Sequence, residues 1–580
     1  MITRPAIVLC ASLAFFSACA SRPPERIAPV QAVVAVKDAA APARGPLLVT
    51  LVIDELAAWI VDERMAALPS TGGFARLARE GTYAKDVRHS YAVTETAPGH
   101  AVLYTGAPPR ESGIFGNEVL DPSGHEVSIL KDPATKLVSS EGPEDAASSS
   151  IAALAVDTLA DSFRAAHAFA VILSLSLKDR GAIFGGGRKP TASIWYDPKR
   201  GRFVTSTAFA NALPVWVTEA SGPDRMKTEL ARTWEPLDPA FLRAHVKTPD
   251  AQDGEGDLAG LGITFPHALG KSTDPALAFR ATPFADEVLV RLALLGLDAN
   301  RTAAPTLLAV SLSSNDYVGH IFGPDSWEAW DELLRLDGLL GRFFAALDER
   351  FGERGWSAML SADHGVVSLP EVTSPDVRTW CKTPLVADRW RRPCGKGGRL
   401  LLEDLSKELK AVAKKTLGPG EWIVGVVEPS VQLTPAARAL DEARRTKLVA
   451  ALSKALLAHP EIDRVVDVRT SPATCPALPD ESIEALVCRA ISPGRSGDLF
   501  VLTKPGSIFD TTYVVGKGAN HGSAYVYDRA IPLLVRAPGR VAAGRTIDEP
   551  MGSGAFAKTA ATLLGVELPL TRDARDLTRP

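Results

Sequence analysis

Six residues of this sequence have side chains suited to binding metal ions, namely Asp54, Asp316, His320, Asp363, His364 and His521. Carboxylates and imidazoles in this combination favour zinc or a similar borderline ion. Asp316 and His320 are four residues apart, so one helical turn directs both side chains at a single ion. His521 lies in a glycine-rich loop, where a core histidine is not expected. Each feature is common by chance, and the hypothesis therefore depends on whether the six residues meet.

The run Thr96-Ala97-Pro98-Gly99-His100 offers a hydroxyl that could act as a nucleophile. Thr is favoured at the N-cap of a helix and Pro is tolerated in its first turn, so a capping role for Thr96 is the alternative. A helix N-terminus also favours phosphate, because its backbone N–H groups and dipole point at the anion. A hydroxyl held by a metal ion becomes a nucleophile near neutral pH. His100 is expected to orient this loop or pack beneath it.

Two cations follow one of the predicted strands. On an extended backbone, residues two apart point to the same side, so Lys178 and Arg180 are expected to meet one anionic group while Asp179 faces away. Two cations suit the dianion of a phosphate monoester, which has one more negative oxygen than a diester. The alternative is a solvated strand end without a ligand.

Four continuous apolar runs predict buried parallel strands, at 46–53, 168–175, 305–312 and 357–361. Each is followed by a polar residue that could do chemistry: Asp54, Lys178, Asp316 or Asp363. Helical patterns at 73–80, 97–106, 149–166, 283–297, 327–350 and 556–564, a hairpin at 192–206 and a last strand at 531–535 complete the pattern. We expect an α/β fold with a doubly wound, mainly parallel central sheet flanked by helices. Ligands of such sheets bind beyond the carboxyl ends of the strands, which places the four polar residues in one site.

Composition divides the chain into five segments, 1–19, 20–46, 47–372, 373–493 and 494–580. The third and fifth are expected to form one catalytic core. Residues 373–493 are rich in Lys and Arg, carry four cysteines and show a helical pattern near 437–458, which indicates an inserted cap region.

The N-terminus has the layout of a bacterial export signal, with Arg4 before an apolar run at 6–16 that is too short to span a membrane. The small residues that end at Cys19 are similar to a lipobox, in which this cysteine is lipidated. The alternative is ordinary cleavage after Ala20, which gives a free secreted protein. The Pro- and Ala-rich segment 20–46 suits a tether. We expect a periplasmic or extracellular protein, held at the outer membrane where Cys19 carries lipid.

Four further cysteines form two pairs with the same spacing of thirteen residues, Cys381 with Cys394 and Cys475 with Cys488. In an oxidising compartment such pairs predict disulfides that close short loops, and pairing between the two loops is the alternative. The sequence contains no Cys-x-x-Cys, which argues against a zinc knuckle. A net charge of −4 in 580 residues gives no basic surplus, so nucleic acid is not expected as a specific partner.

Together these motifs resemble the alkaline phosphatase superfamily, in the branch with a threonine nucleophile. They are most similar to the phosphate-irrepressible, monomeric alkaline phosphatases of Gram-negative bacteria. In that group a Thr precedes a Pro-Gly-His segment, an Asn follows it, and Lys-x-Arg comes after the next strand. Thr96, Asn117 in Gly116-Asn117-Glu118, and Lys178 with Arg180 match this pattern.

The resemblance implies two zinc sites, one formed by Asp316, His320 and His521 and the other by Asp54, Thr96, Asp363 and His364. It implies that Thr96 attacks phosphorus and forms a phosphothreonine, while Asn117, Lys178 and Arg180 bind the phosphoryl oxygens. It also implies a monomer that acts on small phosphate monoesters and releases inorganic phosphate. Whether the protein also binds an additional Ca²⁺ or Mg²⁺ stays open.

Two other functions are compatible with the same sequence. The first is a phosphodiesterase or nucleotide pyrophosphatase of the same superfamily, against which Lys178 and Arg180 argue. The second is a non-catalytic lipoprotein that keeps the fold to bind an anion, against which the complete set of nucleophile and ligands argues.

Overall fold

The apolar runs of the sequence form the centre of a twelve-stranded sheet. A computed structural model of the chain describes residues 44–382, 388–510, 513–571 and 574–579. The strands of this sheet, in chain order, are β1 (Leu47–Ile53), β2 (Thr82–Arg88), β3 (Lys131–Ser139), β4 (Gly142–Ser149), β5 (Val171–Ser176), β6 (Ala192–Asp197), β7 (Arg202–Ser206), β8 (Thr306–Leu312), β9 (Trp356–Ser361), β10 (Ala530–Arg536), β11 (Arg545–Ile547) and β12 (Met551–Gly552).

The sheet is parallel at its centre, and antiparallel pairs flank this centre on both sides. Its order is β11-β2-β10-β9-β1-β8-β5-β6-β7-β3-β4, and β12 pairs with β2. The five central strands from β9 to β6 are parallel to one another, whereas β9 is antiparallel to β10 and β6 is antiparallel to β7. Ile53 lies opposite Leu312, and Ser311 lies opposite Ser176, so the carboxyl ends of β1, β8 and β5 meet at one edge. The expected α/β class with a mainly parallel central sheet is confirmed.

Within the described residues, nine of the longer helices pack around this sheet: α1 (Ala58–Arg64), α2 (Gly73–Glu80), α3 (Thr96–Thr105), α4 (Leu159–Ala166), α5 (Asp179–Gly186), α6 (Pro283–Ala299), α7 (Ser314–Phe322), α8 (Trp327–Phe351) and α9 (Gly554–Leu564). One group contains α2, α6, α7 and α8, which contact one another. A second contains α3, α4, α5 and α9. Strands β5 and β8 contact α6 from the first group and α5 from the second, so helices cover both faces of the sheet.

A smaller hydrophobic core lies in the later part of the chain, between Leu400 and Phe509. Four antiparallel strands form its sheet, in the order Ile423–Val427, Ser430–Leu433, Leu499–Thr503 and Ile462–Asp467. The helices Leu402–Leu417 and Glu442–Leu456 pack beside each other on this core. We call this part the cap. Its core includes Leu499 and Phe509, which lie beyond the expected boundary at 493, and the domain limits stay predictions.

The remaining elements are short. They include the strand pairs Glu118–Leu120 with Glu126–Ser128, Thr233–Trp234 with His267–Ala268, and Arg399–Leu400 with Ile508–Phe509. Short α-helices lie at Pro109–Ser112, Val215–Ala220, Pro223–Glu229, Pro239–His245, Pro275–Phe279, Pro435–Arg438, Ile483–Ala490 and Val526–Arg529.

The prediction of a helix over residues 149–166 is wrong for the first half of that range. Residues 142–149 form β4, which pairs with β3, and α4 begins only at Leu159. The side chain of Thr158 accepts a hydrogen bond from the backbone N–H of Asp161, whose carboxylate accepts one in return from the N–H of Thr158. This capping box fixes the helix start. The helix near 437–458 is also shorter than expected, because Asp441 caps the N–H of Arg444 and the helix starts at Glu442.

Both predicted disulfides are present. Cys381 bonds to Cys394 and Cys475 to Cys488, with Cα atoms 5.6 and 5.7 Å apart. Pairing between the two loops is thereby excluded. The predicted export signal, Cys19 and nearly all of the tether lie outside the described residues. In the part of the chain that the structure describes, no helix is long and apolar enough to cross a membrane.

Candidate active site

The six predicted metal ligands meet at the carboxyl edge of the central sheet. Asp54 directly follows β1, and one residue, Ala362, separates Asp363 from the end of β9. Asp316 and His320 lie one turn apart on α7, the helix after β8. All six side chains are buried, including those of His364 and His521. The strand ends therefore position the set, as the sequence pattern predicts.

The imidazoles of His320, His364 and His521 are fixed by the same kind of contact. Each Nδ1 lies within hydrogen-bond distance of a backbone carbonyl oxygen: 2.9 Å from Ala519 for His320, 3.1 Å from Gly365 for His364 and 2.7 Å from Thr94 for His521. A carbonyl oxygen only accepts, so each Nδ1 carries the proton and each Nε2 presents a lone pair. The Nε2 atoms of His320 and His521 are 3.2 Å apart. Two lone pairs at this distance repel each other unless a cation lies between them.

The ligand atoms form two groups, each compact enough for one ion. The first contains Asp316, His320 and His521, together with Glu55. The second contains Asp54, His364 and again Asp316. The sequence analysis did not predict Glu55 as part of the first group, although Glu55 directly follows Asp54 in the sequence. Glu55 has a positive φ of 65° and packs against Gly319, where a side chain would overlap its carboxylate.

Lys178 supplies positive charge to both groups. Its Nζ is 2.6 Å from Oδ2 of Asp316 and 2.8 Å from Oδ2 of Asp54. It also lies 3.2 Å from Oγ1 of Thr96. Burial opposes the charged form of Lys178, but Asp316 and Asp54 raise its pKa above the ordinary value. The ammonium is therefore charged and in contact with the candidate nucleophile.

The buried carboxylates carry more negative charge than this one ammonium can balance. Burial and then the charges of Asp316 and Asp363 raise the pKa of Asp54 well above its ordinary value. Within the described residues, Oδ1 of Asp54, Oδ1 of Asp316 and Nε2 of His364 have no hydrogen-bond partner. Burial and then the neighbouring imidazoles lower the pKa of His521 well below its ordinary value, which keeps it neutral. Neutral imidazoles and unpartnered carboxylate oxygens are what a divalent metal ion needs, so the residues fit such ions.

Thr96 is the first residue of α3, and its side chain is buried beside the carboxylates. The residue in the N-cap position is Glu95, whose side chain makes no cap hydrogen bond, so the alternative role of Thr96 as a helix cap is wrong. His100 lies one turn later, with Nδ1 2.9 Å from the Thr96 carbonyl and 3.0 Å from Oδ2 of Asp363. Its Nε2 is 2.9 Å from the hydroxyl of Ser311. His100 packs beneath the loop, as expected, and joins Thr96 to the Asp363 loop.

Asn117 and Arg180 lie around the same hydroxyl. The amide oxygen of Asn117 accepts a hydrogen bond of 2.8 Å from the N–H of Ala97, which leaves its NH₂ group to face a ligand. Arg180 does not lie on an extended backbone, as the sequence analysis assumed. Only Lys178 is extended, and α5 begins at Asp179, so Arg180 lies in the first helical turn. Lys178 and Arg180 nevertheless line one cleft together with Thr96 and Asn117.

This cleft has a volume of about 330 Å³ and lies between the main sheet and the cap. Besides the phosphate-site candidates it is lined by His320 and His521, and by Leu402 and Val427 from the cap. Its other walls contain residues that the sequence analysis did not single out: Glu95, Glu118, Glu126, Ser128, Glu428, Asp510, Tyr513 and Asn520. Glu95, Glu118 and Asn520 directly neighbour Thr96, Asn117 and His521 in the sequence, whereas the other five belong to no motif that marks them as part of the site.

The fold is that of the alkaline phosphatase superfamily. Residues 48–524 match the family described as type I phosphodiesterase / nucleotide pyrophosphatase, and the chain belongs to that family.

Two curated relatives extend over nearly the whole chain. Alkaline phosphatase PhoV of Synechococcus elongatus is 31% identical over 578 residues, which cover 97% of both chains. Alkaline phosphatase PafA of Elizabethkingia meningoseptica is 29% identical over 539 residues, covering 91% of this chain and 92% of that protein. A solved structure of wild-type alkaline phosphatase PafA matches with a TM-score of 0.78 and 27% identity, covering 93% of this chain and 99% of that one. The resemblance found in the sequence is confirmed.

Proposed function

We propose that this chain is an exported, zinc-dependent alkaline phosphatase that hydrolyses small phosphate monoesters through a phosphothreonine at Thr96. The observation that carries the proposal is the meeting of two buried ligand groups with the Thr96 hydroxyl and the Lys178 ammonium. The broader class rests on relatives: the chain is a hydrolase of phosphoric monoesters, because proteins similar to it over nearly their whole length are alkaline phosphatases.

In the proposed reaction, Thr96 Oγ1 attacks phosphorus in line and displaces the alcohol of the ester. One zinc ion would be held by Asp316, His320 and His521, and the other by Asp54, Thr96, Asp363 and His364. Bound there, the pair of ions lowers the pKa of hydroxyl groups and offsets charge on the attacking and leaving oxygens. The contact between His100 and Asp363 holds that carboxylate against the start of α3, where the nucleophile lies. Water then hydrolyses the phosphothreonine and releases inorganic phosphate.

Lys178, Arg180 and Asn117 are proposed to bind the non-bridging oxygens. Lys178 contacts the Thr96 hydroxyl, so it lies next to the phosphorus that this hydroxyl attacks. Charge pairing raises the pKa of Arg180 above its ordinary value despite burial, and the side chain is cationic at any working pH. A monoester dianion satisfies both cations, whereas a diester has one negative oxygen fewer. These contacts support a monoesterase over a phosphodiesterase, the activity named in the description of the matching family.

The compartment is part of the proposal. Two disulfides indicate an oxidising environment, which for a bacterial chain with an export-type N-terminus is the periplasm or the exterior. Lipidation at Cys19 and free secretion are both compatible with that location. A monomer, and a further structural Ca²⁺ or Mg²⁺, stay expectations from the resemblance.

The test uses Thr96→Ala with Thr105→Ala as its matched control, since Thr105 is a buried threonine at the other end of the same helix. We expect Thr96→Ala to lower monoester turnover by at least about a thousandfold, as loss of a nucleophile does in other hydrolases. Thr105→Ala is expected to keep most of the activity. Metal analysis is expected to give about two zinc per chain, and a chelator is expected to abolish turnover.

Two results would contradict the proposal. Faster turnover of a bis-aryl phosphate diester than of the matching monoester would assign the chain to the phosphodiesterases. Zinc binding without any ester hydrolysis would instead favour a non-catalytic protein that binds an anion.

A further inference from the structure

One wall of the cleft is acidic. Glu95, Glu118 and Glu428 line it beside the proposed phosphate-binding residues, and we call these three residues the acidic wall. Glu95 and Glu118 come from the main core, whereas Glu428 comes from the cap. A catalytic cleft for anionic substrates has no need of three carboxylates beside its phosphate site, so their presence needs an explanation.

No cation of the described residues neutralises the acidic wall directly. Lys178, the nearest ammonium of the site, is held by Asp54 and Asp316. The ion pairs of the described residues include none in which Glu95, Glu118 or Glu428 lies within 4.0 Å of a Lys, Arg or His nitrogen. Arg180 is the cation of the cleft that acts most on the wall through space: Glu118 is the largest of the charges that raise the pKa of Arg180 against burial, although the ion pair of Arg180 is with Asp179, at 3.7 Å. One guanidinium thus faces three carboxylates. The wall therefore has a surplus of negative charge.

Glu95 shows the surplus at the level of single atoms. Its Oε2 accepts a short hydrogen bond of 2.6 Å from the backbone N–H of Asn117. Its Oε1 is buried and has no hydrogen-bond partner among the described residues, and Glu95 as a whole is only 6% exposed. Buried polar atoms are normally paired, and an unpaired one in a cleft indicates a ligand. Positioning Asn117 explains Oε2 but leaves Oε1 unexplained.

Glu428 and Glu95 both lie beside Gly522, and this glycine leaves room for the two side chains to come close. A Cβ atom at Gly522 would lie 2.6 Å from Oε1 of Glu428 and 3.9 Å from Cγ of Glu95, so the two side chains border the same small residue. The other oxygen of Glu428 accepts a hydrogen bond of 2.9 Å from the side chain of Asn520. Burial and then the charge of Glu95 raise the pKa of Glu428 well above its ordinary value, which is the response of carboxylates that lack a counterion.

The spacing of these carboxylates favours an organic cation over a metal ion. The groups of described residues with ligand atoms within 4.8 Å of one another are those around Asp316, and the acidic wall is not among them. An alkylammonium group is wider than a bare ion and bridges carboxylates that are farther apart. Leu402 and Val427 border the same cleft. Apolar neighbours suit the carbon atoms of such a group.

We propose that the acidic wall binds the ammonium end of the alcohol in short aminoalkyl phosphate monoesters, of the choline phosphate and ethanolamine phosphate kind. The inference rests on the proposed monoesterase function and narrows its substrate class. The phosphoryl group binds at Thr96, Asn117, Lys178 and Arg180, and the cationic leaving group extends along the same cleft to Glu95, Glu118 and Glu428.

The test compares choline phosphate with 3,3-dimethylbutyl phosphate, which has the same shape with carbon in place of the charged nitrogen. For each enzyme the ratio of kcat/KM for the charged ester to that for the neutral ester is measured. Comparing this ratio between wild type and variant cancels the intrinsic difference in leaving-group reactivity. It also cancels any change that affects both esters equally, such as partial misfolding of the variant.

The variant is Glu428→Gln, which keeps the shape of the side chain and an acceptor for Asn520. We expect the ratio to fall roughly five- to tenfold, as for removal of one partly buried charge contact. Glu118→Gln, which removes another carboxylate of the acidic wall, is expected to lower the ratio as well. Glu403→Gln is the matched control: it removes the same charge from an exposed cap residue that pairs with Lys407, and is expected to leave the ratio unchanged.

A ratio that stays the same in both Glu428→Gln and Glu118→Gln, while the neutral ester is still hydrolysed, would overturn the ammonium subsite and leave the phosphatase intact. If the zinc-loaded wild type hydrolyses neither ester, the proposed function fails, and the subsite fails with it.

Discussion

Replacing Lys178 by methionine removes a buried ammonium while keeping most of the length and apolar stem of the side chain. The Nζ atom of Lys178 contacts Asp316 at 2.6 Å and Asp54 at 2.8 Å, and all three side chains are almost fully buried. Removing one partner of a buried ion pair costs about 3–5 kcal/mol, because the remaining charge has no counterion. Since two carboxylates share this ammonium, we expect the metal-free variant to lose about 4 kcal/mol of unfolding free energy.

The same substitution is expected to cost much less in the zinc-loaded protein. Divalent ions bound to Asp54 and Asp316 would supply the positive charge that the ammonium provides in their absence, and ligand binding to the folded state adds to its stability. Urea unfolding followed by tryptophan fluorescence, with chelator or with excess zinc, measures the loss of unfolding free energy in the metal-free and in the zinc-loaded protein. We expect the loss with zinc to be less than about half of the loss with chelator.

Lys407→Met serves as the control, because Lys407 is exposed and pairs with Glu403 on a cap helix. Its effect is expected to stay within about 0.5 kcal/mol in both conditions. An equal loss for Lys178→Met with and without zinc would refute the reasoning, since it would mean that the ammonium and the metal ions do not act on the same carboxylates. A loss below about 1 kcal/mol in chelator would refute the claim that the Lys178 ammonium balances the charge of Asp54 and Asp316.

Two further predictions concern stability at residues that are not themselves proposed ligands. Burial lowers the pKa of His89 to about 3, below its unfolded value of about 6.5. His89 therefore contributes stability above pH 6.5 that is lost as the pH falls towards 3. From pH 7 to pH 5, in chelator, we expect the metal-free wild type to lose about 2 kcal/mol more unfolding free energy than His89→Gln. Parallel pH profiles of the two proteins would contradict this. Replacing both Cys475 and Cys488 by serine opens a loop with a sequence separation of 13 and is expected to lower stability by about 2–3 kcal/mol in urea. An unchanged urea midpoint would show that this loop is already constrained without its disulfide.

The central sheet could be predicted because its strands are continuous apolar runs with a clear end. The runs before Asp54 and Asp316 are apolar apart from small hydroxyl residues such as Thr50 and Ser311, and burial on both faces of a parallel sheet favours that pattern. The hairpin of β3 and β4 shows the opposite case. Strand β4 is Gly-Pro-Glu-Asp-Ala-Ala-Ser-Ser, which has neither β-branched residues nor apolar alternation, so only its pairing with β3 makes it a strand.

The candidate site divides in the same way. Asp363 and His364 could be singled out because they follow a strand directly, and the topology then brings them to His521. Glu55 was missed because its place depends on a positive φ and on the space left by Gly319, which spacing does not encode. Arg180 was assigned to the right cleft for the wrong local reason, since the chain turns into a helix at Asp179.

The separate core of the cap has a consequence for how this enzyme can change over generations. The proposed nucleophile and the proposed ligands lie at the main sheet and its loops, whereas Leu402, Val427 and Glu428 reach the cleft from the cap. A mutation that repacks the cap around Leu448 or Leu452 shifts the walls of the cleft without disturbing the strands that hold Asp54 and Asp363. Substitutions in the cap can therefore change which alcohol the cleft accepts without altering the reaction centre.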